Sequence, residues 1–149
     1  MDDHCLFFDG ASKGNPGVAG GGGVLLSPGG STELRFQWGL GIESNNRAEA
    51  LALWQGLNLA IKRNFLSISA FGYSRLIIQA MKTQKNPYQV HLASILKKIR
   101  LILPKFHKIS FYHILRKLNS QVDLEANLGS LHSRRSLLVN NVESICNIP

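Results

Sequence analysis

The chain has 149 residues, of which 44% are hydrophobic and 17% charged, with a formal net charge of +8; this suits one domain with its own core and excludes a disordered or fibrous protein. Its two cysteines, Cys5 and Cys146, lie at opposite ends, which excludes a zinc ribbon, gives no disulfide framework and fits reduced thiols. Lys97, Lys98 and Arg100 interrupt the longest apolar stretch, so no segment reaches the roughly 18 residues of a membrane span, and the acidic start MDDHC is unlike a signal peptide; an intracellular location, nuclear or cytoplasmic, is expected.

Residues 5–8 form a short apolar run ending in Asp9 and Gly10, which predicts a buried strand with a carboxylate at its end. A turn cluster over residues 12–17 follows. Residues 20–26 and 34–40 predict two strands joined by a hairpin turn at Ser27-Pro28-Gly29-Gly30. Gly20 to Gly23 precedes no GKS or GKT, so close strand packing explains the glycines better than a phosphate loop.

From Ser44 the period becomes helical. Ala50, Leu53, Trp54, Leu57, Ala60 and Ile61 make one apolar stripe. Ser44, Asn45 and Asn46 are the cap candidates, and Glu49 falls near the first turn beside the stripe. Residues 65–71 predict a strand and 74–81 a short helix, with Tyr73 at their junction. Asn86-Pro87 breaks the chain. Leu92, Ile95, Leu96, Ile99, Ile102 and Leu103 mark another helix, which Pro104 ends. Residues 109–115 predict the last strand, and Leu124, Leu128 and Leu131 a final helix carrying Asp123 and Asn127. The order is that of a mixed α/β domain over residues 1–135, followed by a tail, 136–149, of unreadable structure.

Charge is distributed unevenly. No acidic residue lies between Glu49 and Asp123, whereas that interval holds twelve of the seventeen lysines and arginines. Such a field favours encounter with a polyanion and salt-dependent phosphate binding. Lys97, Lys98 and Arg100 offer a basic helix face that suits either a phosphate backbone or plain solvation. His4, His91, His107 and His132 show no ligand spacing.

Asp9, Glu49 and Asp123 sit at or near element ends, where sites are commonly assembled. Clustered carboxylates repel unless a cation holds them, and hard oxygen donors select magnesium or manganese. Two such ions about 3.5–4 Å apart can activate water and stabilise the leaving oxygen of a phosphodiester.

Four motifs occur in order. Residues 8–17, FDGASKGNPG, resemble the opening motif of type 1 ribonuclease H domains. SNNRAEA at 44–50 resembles the second, FGYSRL at 71–76 the third, and His113 through Asn119 to Asp123 the fourth, with His and Asp ten positions apart. The glycine-rich second strand and the Asn-x-x-x-Asp ending are similar to the plant reverse-transcriptase-like branch, derived from retroelements.

The resemblance implies an α/β ribonuclease H-like fold, a five-stranded mixed sheet flanked by helices. It implies Asp9, Glu49 and Asp123 as catalytic ligands of Mg2+ or Mn2+, and His113 on a loop assisting proton transfer or product release. It also implies that Asn15, Asn45 and Asn46 lie along an RNA/DNA hybrid, reading 2′-hydroxyls or backbone; turn and cap chemistry accounts for the same asparagines. Position 73 departs from the pattern, with Tyr where the family places Asp. No neighbouring carboxylate can substitute, since residues 50–122 contain none. A phenol titrates near 10 and is a poor magnesium ligand. Hybrid binding with a degenerate hydrolytic centre is the leading expectation, beside an active metal-dependent hybrid endonuclease and a retroelement-derived protein-interaction module.

Overall fold

The structure, a computed structural model, describes residues 3–87, 89–115, 136–139 and 142–145. β1 (His4–Gly14), β2 (Gly17–Leu26) and β3 (Thr32–Glu43) form an antiparallel meander, followed by α1 (Asn45–Lys62), β4 (Ser67–Gly72), α2 (Arg75–Thr83), α3 (Ala93–Ile102) and β5 (Lys108–His113). β4 runs parallel to both β1 and β5, so the core is the expected five-stranded mixed sheet in the order β5-β4-β1-β2-β3. The region after residue 135 adds β6 (Ser136–Val139) and β7 (Val142–Ile145), a hairpin that extends the sheet beyond β3. The sequence signal for it, Asn140-Asn141 between two short runs, is weak beside the stronger turns upstream. The final helix expected from Leu124, Leu128 and Leu131 lies outside the described residues.

The helices pack by burying their stripes. α1 lies across β1 and β2 with α3 and α2 beside it, and Ala50, Leu53, Leu57 and Ala60 are all fully buried. Ser44 starts α1 through its side chain, which accepts from the Arg47 N–H at 3.2 Å. Ser74 does the same for α2, accepting from Ile77 N–H at 3.3 Å. Pro104 falls in a 3₁₀ turn, Leu103–Lys105, that closes α3. The glycines of β2 answer to close packing: a Cβ at Gly23 would lie 2.6 Å from the Phe36 ring and from the Phe7 carbonyl oxygen.

One expectation needs correcting. The first strand does not stop at Asp9 but runs to Gly14, because β2 continues to pair with it as far as Gly14↔Gly17. What ends near Asp9 is the parallel partner: the last β1·β4 pair is Phe8↔Gly72. Asp9 is therefore mid-strand on its β2 side and the first residue past β4 on the other.

Candidate active site and nucleic-acid interface

The end of β4 fixes the site. Gly72 pairs with Phe8 of β1 and with His113 of β5, so Asp9, Tyr73 and the end of β5 lie side by side on three neighbouring strands. The start of α1 presses onto the same place. A Cβ at Gly10 would sit 2.2 Å from the Ala48 carbonyl carbon and 2.2 Å from the Glu49 nitrogen; only glycine lets helix and strand approach this closely.

Burial and hydrogen bonds lock the arrangement. Asp9 is fully buried and Glu49 is 3% exposed. Glu49 Oε2 accepts a hydrogen bond from the Ser74 N–H at 2.5 Å, which ties the carboxylate to the β4–α2 junction. Tyr73 occupies that junction, 9% exposed. The His113 ring Nε2 lies 2.7 Å from the Tyr73 carbonyl oxygen, and the Ile114 N–H donates to the Gly72 carbonyl at 3.0 Å. His113, expected on a loop, is instead the last residue of β5.

A second cluster crowns α1. Asn15 Oδ1 accepts from the Asn45 N–H at 3.0 Å, joining the β1–β2 turn to the helix start. Asn46 accepts from Ser74 Oγ at 3.1 Å and donates to Gln89 Oε1 at 3.3 Å. Ser44 Oγ lies 3.3 Å from His91 Nε2, and Arg47 donates to the His91 carbonyl at 2.9 Å while pairing with Glu43 at 2.8 Å. The asparagines thus do turn and cap work and line one exposed ridge. Sequence reading missed Gln89, and His91 carried no spacing signal, because both reach the ridge only through the fold of the segment before α3.

The structure brings Asp9, Glu49, Tyr73 and His113 to one end of the sheet and Asn15, Asn45 and Asn46 to the adjoining helix start. Asp123 lies outside the described residues. Of the basic trio on α3, Lys97 is exposed and Lys98 half-buried. Arg100 is turned inward: its guanidinium donates to Asn86 Oδ1, to the Ala80 carbonyl at 3.2 Å and to the Lys85 carbonyl at 3.1 Å. Those donors are committed to holding the loop after α2, so Arg100 serves poorly as a phosphate contact.

The donor chemistry fits a metal only in part. Asp9 and Glu49 are hard oxygen donors suited to Mg2+ or Mn2+, whereas the buried Tyr73 phenol is not. Among the described residues no group of three His, Cys, Asp or Glu side chains could hold an ion.

Residues 7–129 match the reverse transcriptase-like family. The chain belongs to that family and is a ribonuclease H-like domain. It is 33% identical over 121 residues to ribonuclease HI of Halobacterium salinarum, covering 81% of this chain and 61% of that protein. Among solved structures, RNase H1 of the same archaeon superposes with a TM-score of 0.81 at 31% identity, over 85% of this chain and 96% of that one. LC11-RNase H1, isolated from compost and solved in complex with an RNA/DNA hybrid, gives 0.78 at 28% identity, over 85% and 95%. The ribonuclease H-like domain thus spans about three fifths of its curated archaeal relative. Among the described residues no helix is long and apolar enough to cross a membrane.

Proposed function

We propose that this ribonuclease H-like domain binds RNA/DNA hybrids and that its hydrolytic centre is impaired by Tyr73. The observation that carries the reading is the buried aromatic ring at the β4–α2 junction, beside Asp9 in strand register and next to the residue that anchors Glu49. A carboxylate there would add a fourth hard donor to Asp9, Glu49 and Asp123; a neutral ring adds none and fills its space. Asp9, Glu49 and Asp123 remain the ligand set for Mg2+ or Mn2+, with affinity for at least one ion lowered.

Hybrid binding rests on the asparagine ridge beside that end of the sheet and on the excess of positive charge. It is also supported by the likeness to LC11-RNase H1, whose structure holds a hybrid. The glycine-rich β2 and the Asn119-x-x-x-Asp123 ending support placement in the plant reverse-transcriptase-like branch.

The deciding experiment compares the chain with Tyr73→Asp on a labelled hybrid, with Mg2+ and with Mn2+. The wild-type chain is expected to bind hybrid with salt-dependent affinity and release little or no product, and Tyr73→Asp to gain chelator-sensitive cleavage. Equal cleavage by both chains would show an active endonuclease and overturn the role given to Tyr73. Absence of hybrid binding in both would favour a protein-interaction module.

A further inference from the structure

Independently of the hybrid reading, we propose that the outer edge of β5, which no other described strand covers, docks an extended acidic peptide of a partner protein, which adds a strand to the sheet. β5 terminates the sheet, paired among the described residues with β4 alone. An edge strand turns alternate N–H and C=O groups outward, which a second backbone can satisfy. A cavity of about 640 Å³ runs along this edge, walled by residues 109–112 of β5 and by the C-terminal ends of α2 and α3.

The cavity's chemistry selects the occupant. Its floor is apolar, with Met81, Leu103 and Phe111, while Lys82 and Arg100 bring positive charge. Tyr112 is 44% exposed and stacks on Phe71 at 5.1 Å, with the Lys82 ammonium 6.0 Å from its ring centroid. Among the described residues, those that line the cavity all come from the stretch between Glu49 and Asp123 that contains no acid, so none of them repels a carboxylate. In strand addition, main-chain hydrogen bonds supply affinity and pockets for alternate side chains supply specificity. An apolar side chain in the cavity followed by a carboxylate near Lys82 matches that pattern.

A nucleic-acid backbone fits less well, since phosphates need neither an apolar floor nor a row of peptide groups. A second copy of this chain would bring its own charge of +8 against the same basic edge. Along β5 the surface reaches Tyr112, the residue before His113, while its positive charge lies farther from the catalytic end. Lys82 is eight residues along α2 from Ser74, or about 12 Å at 1.5 Å per residue.

The probe is a fluorescein-labelled peptide of alternating glutamate and valine, titrated into the whole chain, with amide exchange followed over residues 108–113. Saturable binding is expected, with slowed exchange in that segment. Affinity should fall about tenfold in Lys82→Glu, an exposed position, and by at least as much when prolines replace alternate peptide residues, while hybrid affinity stays within about twofold. Equal binding of the proline peptide, or binding without protection in β5, overturns the proposal. So does equal competition by oligo-dT, which would make the cavity a phosphate site, or a dimer of the chain that protects the same segment without peptide.

Discussion

Gly10 of β1 lies against the backbone of α1 where Glu49 begins, so close that one added carbon would stand 2.2 Å from the Glu49 nitrogen. The carboxylate's position is therefore set by an absent side chain on another element. Gly10→Ala is expected to push helix and strand apart and to destabilise by about 2–3 kcal/mol or more, since backbone atoms cannot step aside as a side-chain tip can. Thermal unfolding is the measurement. Gly29→Ala, at an exposed turn where a Cβ meets only Ser27 Oγ at 3.9 Å, is the control and should leave the midpoint unchanged. Equal midpoints for Gly10→Ala and wild type would mean that the contact yields freely.

Much of this architecture was legible from period and punctuation. The α1 stripe, the Ser44 cap and the Pro104 stop all leave local marks, and the four motifs placed Asp9, Glu49 and Tyr73 in order. Contacts between segments leave no such mark. That Glu49 is held by the Ser74 N–H and that His91 sits beside Ser44 depend on contacts across 25 or more residues, whereas β1 continues past Asp9 through a nearby hairpin pairing that ends at Gly14↔Gly17, where the turn residues read as loop. The charge of Arg100 was visible, but its direction was not, because a guanidinium that caps carbonyls and one that meets solvent occupy the same helical spacing.

Arg100 is expected to act as a latch. Its guanidinium joins α3 to the end of α2 and the loop behind it through Ala80, Lys85 and Asn86. Hydrogen bonds from a charged donor contribute about 1.5–3 kcal/mol, discounted here because the residue is only half-buried. Arg100→Ala should lower stability by about 1–3 kcal/mol in a urea titration and leave hybrid affinity nearly unchanged. A large affinity loss with no shift in the urea midpoint would instead make Arg100 a phosphate contact.

Lys97 and Lys98 should behave in the opposite way. Neither forms part of that latch, and Lys97 is exposed. If they meet the hybrid backbone, the paired change to alanine removes up to two phosphate contacts and should reduce the slope of log affinity against log salt by about 1–2. The urea midpoint should stay within about 0.5 kcal/mol of wild type. Hybrid titrations at several salt concentrations give the slope directly. An unchanged slope would leave these lysines as a solvated face.

Cys5 supplies the last expectation. It lies in β1 between Leu26 of β2 and Ser69 of β4, and its thiol pKa is raised, first by burial and then by the negative charge of Asp3. The thiolate is the nucleophile, so a raised pKa leaves less of it at any pH below the titration. Alkylation of Cys5, followed by mass spectrometry of its peptide, should be slower at neutral pH than for a free cysteine peptide. It should keep climbing with pH after the free peptide has levelled off. Asp3→Asn removes only the smaller cause, and it also loses the carboxylate that accepts from Ser69 Oγ at 3.2 Å and pairs with Lys108 at 3.4 Å. It should therefore speed the reaction modestly, with the profile still displaced to higher pH. A pH profile in the wild-type chain that overlays the free peptide would mean that neither burial nor Asp3 bears on the thiol.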